Sequence, residues 1–375
     1  MKLLIVASVP IHLHTFWRPY ARYFRAKGWQ VDGGAANIKK WEPTLLGDFD
    51  HLIDIPFIRD PVKAPHKLPG QLSCLRKIRQ LTSGYDILHV NTPMAAFMTR
   101  LAWRKRQNRP AIVYTAHGFH FFKGNHSKYN SLFYFLEKTA ARWTDLLLTM
   151  NQDDYAAACA FGSILQSRVK LIPGIGVDPS VYKQPSQLSI KEKLGLKAGD
   201  KLVTSIAELI PRKGHSDLLA AMELQPDNVH LALVGNGRLT AQLKALVEEK
   251  GLASRVHFTG FQQNVPEWIA SSDVLVLCSK HEGLPRCILE GMSIGTPVIA
   301  SDVRGSRDLL KDGSGWLYQP GQISQLSDLL TFVLTPANKE NVMAHIQKAK
   351  EAIPQYSQAN LLTIHEQLYT SCFAL

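Results

Sequence analysis

Residues 272–302 read SDVLVLCSKHEGLPRCILEGMSIGTPVIASD, and this stretch decides the fold. Val274–Cys278 and Pro297–Ala300 are short apolar runs of the kind that lie buried on both faces of a parallel sheet. Between them, Pro285 suits the first turn of a helix and Gly295 suits its C′ position. The order is strand, loop, helix, strand, which predicts an α/β unit. Glu282 falls in the loop at the carboxyl end of the first strand, and Glu290 lies on the helix eight residues later. Open α/β sheets bind their ligands at that edge. A helix start there also offers amides, including those of Gly283 and Leu284, to an anion. A lone Glu on a helix is ordinarily a solvated face, but a pair at the carboxyl edge of a strand reverses that balance.

Outward from this stretch, the chain alternates strand and helix patterns, which implies parallel sheets covered by helices on both faces. In the first half the strand patterns are Leu3–Ala7, Gln30–Asp32, Ile87–Val90, Ile112–Thr115, Leu146–Thr149 and Val169–Ile172. Helical spacing marks Arg18–Lys27, Cys74–Leu81, Ala95–Gln107 and Ser131–Trp143. The second half opens with a strand at Lys201–Ala207, followed by the turn Glu208-Leu-Ile-Pro-Arg-Lys-Gly-His215. Further strands follow at His230–Val234 and Val256–Gly260, with helices at Leu239–Lys250 and Ser357–Thr370. A cationic pair, Arg212 and Lys213, beside Gly214 at a strand-to-helix turn supplies what a diphosphate requires: positive charge and unpaired amides. Gly174 and Gly176 are not a dinucleotide fingerprint, because the third glycine and the following helix are missing.

The 375 residues, 45% of them hydrophobic, suffice for two ordinary cores. Five cysteines without CxxC or Cys/His metal spacing point to free thiols in a reducing compartment. The opening run Met1–Val9 continues into Pro10 without a cleavage site, so it reads as a buried strand rather than a leader. No run approaches the length of a membrane span. The net charge of +12 is unevenly placed: residues 1–180 carry 24 Lys+Arg against 12 Asp+Glu, and the remainder is balanced. Any single basic run, such as Arg76–Arg79 or Arg104–Arg109, is by default a solvated face. The summed excess argues for a polyanionic partner, either an anionic membrane surface or nucleic acid. Asp48-Phe-Asp50 has the form of a metal-binding Asp-x-Asp but lacks the preceding apolar strand, and is read as coincidence.

The Glu282–Glu290 spacing, Glu282-Gly-Leu-Pro285, Gly295-Thr-Pro-Val-Ile-Ala-Ser301 and Val303-Arg-Gly305 occur in register and resemble the retaining glycosyltransferases of family 4. The resemblance is dense from about 200 to 310, good at 112–124 and 171–178, and weak from 10 to 80. It implies the GT-B architecture: two Rossmann-like domains facing across a cleft, with a C-terminal helix, about 357–375, crossing back to the first. Residues 1–175 would bind the acceptor and 176–356 the nucleotide-sugar donor, with the interdomain connection near Pro173–Pro179. His117 and Glu282 would act on the donor sugar, with His117 orienting it. Arg212, Lys213, Gly283, Leu284 and Glu290 would hold the donor, Glu290 through the ribose, and the loop Phe261–Pro266 would meet the base. The chain departs from the pattern at Ala207-Glu208, where many members carry Gly-Arg, so one phosphate-binding Arg is absent.

The phrase Thr115-Ala-His-Gly-Phe-His-Phe-Phe-Lys-Gly124 resembles the subgroup that builds capsular polysaccharide, exopolysaccharide or lipid-linked oligosaccharides. That implies a UDP-sugar donor and a polyprenyl-diphosphate-linked saccharide acceptor, handled at the cytoplasmic face of the membrane. His12, His14, Asn91, Phe121 and Lys123 are the acceptor-side candidates, with Phe121, Phe122 and Lys123 read as exposed. No metal and no cofactor beyond the co-substrate is expected. Three rivals remain at this point: a nucleotide-sugar epimerase of the same fold, a non-catalytic nucleotide-sugar binder prompted by Glu208, and a nucleic-acid binder. The last is disfavoured because the apparent pocket lies in the neutral half and no nucleic-acid motif is present.

Overall fold

The computed structural model describes residues 1–57, 68–81, 83–104, 108–122, 128–162, 166–182 and 190–372. The chain divides into two units, Met1–Ile175 with Leu361–Leu375, and Gly176–Asn360.

The first unit holds β1 (Lys2–Val6), β2 (Gln30–Ala35), β3 (Leu52–Asp54), β4 (Ile87–Asn91), β5 (Ala111–Ala116), β6 (Leu146–Thr149) and β7 (Val169–Leu171). They form one parallel sheet in the order β3-β2-β1-β4-β5-β6-β7. The central strands β1, β4 and β5 are buried almost throughout, as their continuous apolar runs require. The order reverses between β1 and β4, so the residues after these two strands flank the topological switch point.

Two elements depart from the sequence reading. Helix α2 (Arg18–Ala26) falls where helical spacing is read, but the residues between β1 and it, to which the sequence assigns no element, form α1 (Pro10–His12) and a π-helical turn (Leu13–Trp17). Pro10 sits in the first turn, and Leu13, Trp17, Tyr20 and Phe24 are buried at helical spacing. β3 escaped notice because it is a half-buried strand of three residues at the sheet edge. The unit continues with α3 (Leu68–Leu81), α4 (Pro93–Trp103), α5 (Asn130–Ala141) and α6 (Gln152–Cys159).

The expectation of an exposed Phe121 is wrong. Phe121 is 6% exposed and packs with Phe119 at a ring separation of 4.8 Å and with Tyr134 at 5.2 Å. It is core, because α5 and the segment after α6 bring Tyr134 and Phe161 over it. Phe122 is half-buried, and Lys123 lies outside the described residues. Asp48 and Asp50 fasten α2: Asp48 takes Arg18 and Arg22, and Asp50 takes Arg25 at 2.9 Å.

The second unit holds β8 (Lys201–Ile206), α7 (His215–Glu223), β9 (Val229–Val234), α8 (Thr240–Glu249), β10 (Val256–Gly260) and α9 (Val265–Ala270). It continues through β11 (Val274–Leu277), α10 (Arg286–Ile294), β12 (Val298–Ser301), α11 (Arg304–Leu310), β13 (Trp316–Tyr318), α12 (Ile323–Leu334) and α13 (Lys339–Tyr356). Its sheet is parallel in the order β10-β9-β8-β11-β12-β13, with the switch point between β8 and β11. Helix α14 (Gln358–Ser371) belongs to the first unit from Leu361 onward. There Leu361, His365 and Tyr369 are buried, the Tyr369 hydroxyl meets His89 Nδ1, and His365 packs edge-on against Trp17 and Tyr20. Among the described residues no helix is long and apolar enough to cross a membrane.

Candidate functional site

In the second unit the residues after β8 and β11 meet at the switch point. Gly214 makes the meeting possible. Its φ is +63°, and a Cβ there would stand 2.1 Å from the Cys278 carbonyl oxygen, so no larger residue fits. The approach is pinned by the Lys280 amide donating to the Arg212 carbonyl at 2.8 Å. On this frame Lys213 donates to Glu282 Oε1 through Nζ, and Arg212 Nη1 stands 3.3 Å from the same oxygen. Arg212 also donates to the His281 carbonyl at 2.6 Å. Burial opposes the charge on Glu282, but Lys213 and Arg212 outweigh it and hold its carboxyl below the usual range.

Glu290 is buried on α10, one turn beyond Arg286, whose Nε lies 3.0 Å from Glu290 Oε1. Behind Gly283 and Leu284, Gly305 at the start of α11 comes so close that a Cβ would fall 1.9 Å from the Gly283 carbonyl oxygen. The loop between the two glutamates is therefore held from behind by a residue that must be glycine. Cys287 lies among these charges, and burial pushes its thiol up to about 12. His215, next to Lys213, is buried with no described partner for either ring nitrogen, and burial lowers its pKa to about 4. Phe261 is 72% exposed in the loop after β10, and Glu208 is exposed after β8.

The first unit has its own cluster at the β1/β4 switch point. His117, after β5, places Nε2 2.9 Å from Asn91 Oδ1, at the end of β4. The His12 ring meets the His117 ring edge-on at 4.5 Å, and Phe16 lies 4.9 Å from His12. Burial drives the His117 pKa well below 6.5, with His12 and His89 adding to the effect, and burial takes His12 down to about 4. Next to Asn91, Thr92 adopts φ +64°, which is rare for a β-branched residue. Ser8 holds it there, donating its amide to Thr92 Oγ1 at 2.9 Å and meeting that oxygen with its own hydroxyl at 2.7 Å. His14 stands apart, turned to Arg18 at 3.2 Å and to the Trp41 ring.

The family model described as "Glycosyl transferases group 1" matches residues 186–351, and "Glycosyltransferase Family 4" matches 13–181. The "Putative glycosyltransferase EpsD" of Bacillus subtilis (strain 168) is 34% identical over 333 residues, spanning 85% of this chain and 84% of that protein. The chain belongs to the GT-B glycosyltransferases. A further relative is the "UDP-Gal:alpha-D-GlcNAc-diphosphoundecaprenol alpha-1,3-galactosyltransferase" of Escherichia coli, 30% identical and spanning 66% of this chain and 65% of that one. Anabaena Alr3699/HepE, solved in complex with UDP and glucose, has the same fold, with a TM-score of 0.81, 23% identity and full coverage of both chains.

Of the residues singled out in the sequence, this glycosyltransferase brings Arg212, Lys213, Glu282, Gly283, Leu284 and Glu290 to one sheet edge. It brings His12, Asn91 and His117 to another. It excludes Phe121, which is core, and separates His14 from His12. Sequence reading missed Arg286, although the Arg286–Glu290 spacing of four on a helix was visible. It also missed Thr92 and His215, whose backbone angle and burial left no signal in composition or periodicity.

Proposed function

We propose that the chain transfers a hexose or N-acetylhexosamine, with retention, from a UDP-sugar to a lipid-linked, polyprenyl-diphosphate saccharide. The observation that carries this is the Arg212–Lys213–Glu282 constellation at the β8/β11 switch point, with Glu290 one helix turn beyond Arg286. Lys213 and Arg212, with the amides of Gly283 and Leu284, neutralise the departing diphosphate. Glu290 accepts hydrogen bonds from the vicinal hydroxyls of the ribose. Glu282 supports positive charge at the anomeric carbon, and its bond to Lys213 ties that carboxylate to the group that receives the diphosphate. The bond from the anomeric carbon to the diphosphate oxygen breaks, and the acceptor oxygen forms the new bond on the same face. The acceptor proton passes to the leaving diphosphate, so the step requires no protein base and no metal. The Escherichia coli galactosyltransferase, which takes UDP-Gal and a diphosphoundecaprenol-linked sugar, supports the donor and acceptor classes, and the UDP-bound fold relative supports the nucleotide.

The acceptor lipid implies work at the cytoplasmic face of a bilayer, and α5 offers a face for it. Leu132, 45% exposed, and Phe135, 63% exposed, lie on its outer side, with Lys138 half-buried one turn on, Lys128 exposed just before the helix and Arg142 exposed just after it. The helix's only acid, Glu137, is buried on the opposite side against Arg100. Two exposed apolar side chains between cations match an anionic bilayer interface.

The test is a panel of UDP- and GDP-sugars with a short polyprenyl-diphosphate-saccharide analogue, following nucleotide release and product mass, with Glu290→Ala as control. One donor is expected to give an acceptor-dependent product with retained anomeric configuration. Nucleotide release without an acceptor would favour an epimerase or hydrolase, and absence of any nucleotide affinity would remove the reading altogether.

A further inference from the structure

His117 is half-buried, and among the described residues Asn91 alone hydrogen-bonds its ring. The direction of that bond is set on the far side of the amide. Asn91 Nδ2 lies 3.5 Å from the His89 carbonyl oxygen, which can only accept. Its Oδ1 is therefore the atom turned to His117, and an oxygen without a proton requires Nε2–H opposite it. Asn91 is itself fully buried at the end of β4 and cannot turn away.

We propose that Asn91 is a positioning residue that fixes His117 as the Nε2–H tautomer and leaves its Nδ1 lone pair to accept a hydrogen bond from a substrate hydroxyl. The inference rests on the transferase reading above and assigns to Asn91 the choice of which His117 nitrogen is offered to the substrate. Among the described residues, the titratable groups that act on His117 are His12 and His89, both imidazoles. His12 meets the ring edge-on at 4.5 Å, and Phe16 lies behind it, so the surroundings favour an uncharged ring. Among the described residues no cation acts on the ring, so the cluster suits a neutral polyol better than a phosphate or a carboxylate.

The test is two-bond 1H–15N correlation on histidine-labelled full-length protein, with the His117 signals identified by their loss in His117→Gln. Wild type is expected to show protonated Nε2 and unprotonated Nδ1 at pH 8 and to keep that state as the pH falls through 6.5. Asn91→Leu removes the acceptor, so the His117 tautomer should become mixed or inverted, and kcat/KM should fall about tenfold, the worth of one hydrogen bond. Asn91→Asp keeps an acceptor oxygen and should restore the tautomer at pH 8. Its charge should also raise the His117 pKa, adding an acid limb to the pH–rate profile that wild type lacks. An Nε2–H tautomer that survives Asn91→Leu, or an Asn91→Asp profile identical to wild type, overturns the proposal. If the tautomer follows Asn91 but no donor turns over, the transferase reading falls while the positioning role stands. Circular dichroism of each variant separates these outcomes from misfolding.

Discussion

Replacing Lys213 by Met tests the centre of the second-unit site. Glu282 is buried, and its depressed pKa depends on Lys213 first and Arg212 second. Breaking a buried ion pair by removing one partner costs about 3–5 kcal/mol when the remaining charge is uncompensated. Two effects reduce that here: Arg212 remains 3.3 Å away, and Glu282 can take up a proton. The expected loss is about 2 kcal/mol at pH 8. In wild type, the folded pKa of Glu282 lies below its unfolded value, so its contribution is present above about pH 4.5 and is lost as pH falls through the folded value. In Lys213→Met the folded pKa rises above the unfolded one, and the variant's deficit therefore grows as pH rises from 5 to 8. Calorimetric unfolding across that range is the assay, following the transition that added UDP shifts upward, because two units need not melt together. The Lys213→Met/Glu282→Gln double variant should recover at least about 1.5 kcal/mol relative to additivity. A deficit that does not change with pH, together with an additive double cycle, would refute the argument that Lys213 holds Glu282 ionised.

Glu290→Ala should weaken UDP binding by about 10- to 100-fold, the range for hydrogen bonds to a charged group, and isothermal calorimetry that finds unchanged affinity removes Glu290 from the nucleotide site. Gly214→Ala should destabilise the second unit and abolish UDP binding, because its Cβ would stand 2.1 Å from the Cys278 carbonyl oxygen at φ +63°; a thermal shift near zero would contradict the close approach. Burial holds His215 and His365 at a pKa of about 4 in the folded protein against an unfolded value near 6.5. Stability should thus be complete above pH 6.5 and decline toward pH 4, by up to about 3 kcal/mol for each histidine, and His365→Leu should flatten that decline in an acid titration. Phe121→Ala should cost about 3–5 kcal/mol as a core truncation and leave vesicle affinity unchanged. Phe135→Ser should do the reverse, with little loss of stability and reduced sedimentation with anionic vesicles.

The second unit was the more legible half, and the reason is geometric. Its site residues lie within turns whose shape requires particular residues: glycine at 214, where the chain approaches Cys278, and at 305, where it touches Gly283. Requirements of that kind are written in sequence. The first-unit site is assembled instead from single residues at or beyond the ends of β1, β4 and β5, which strand order brings to one edge. His12 and His117 could be suspected from their types, but nothing in the sequence indicated that Asn91 bonds one of them and Ser8 holds Thr92. Phe121 misled for a related reason: a Phe-His-Phe-Phe run looks exposed until Tyr134 and Phe161, from other elements, are seen to cover it.

The two switch points differ in charge, and the difference reassigns the protein's basicity. At β8/β11 the ligand region combines Arg212, Lys213 and Arg286 with Glu282 and Glu290, in the half of the chain whose net charge is zero. At β1/β4 in the strongly basic half, the cluster is His12, Asn91 and His117, and burial keeps both imidazoles uncharged. The positive excess of the first half is therefore not stationed at its own switch point. Part of it is neutralised within the fold, where Arg18, Arg22, Arg25, Arg100 and Arg109 each meet a carboxylate. Among the described residues no carboxylate pairs with Lys128, Lys138 or Arg142, and these flank the exposed Leu132 and Phe135. If the excess served substrate binding, raising the salt concentration would weaken turnover of a water-soluble acceptor. If it serves a surface, salt should release the protein from anionic vesicles and leave that turnover unchanged, and the placement of these side chains argues for the second outcome.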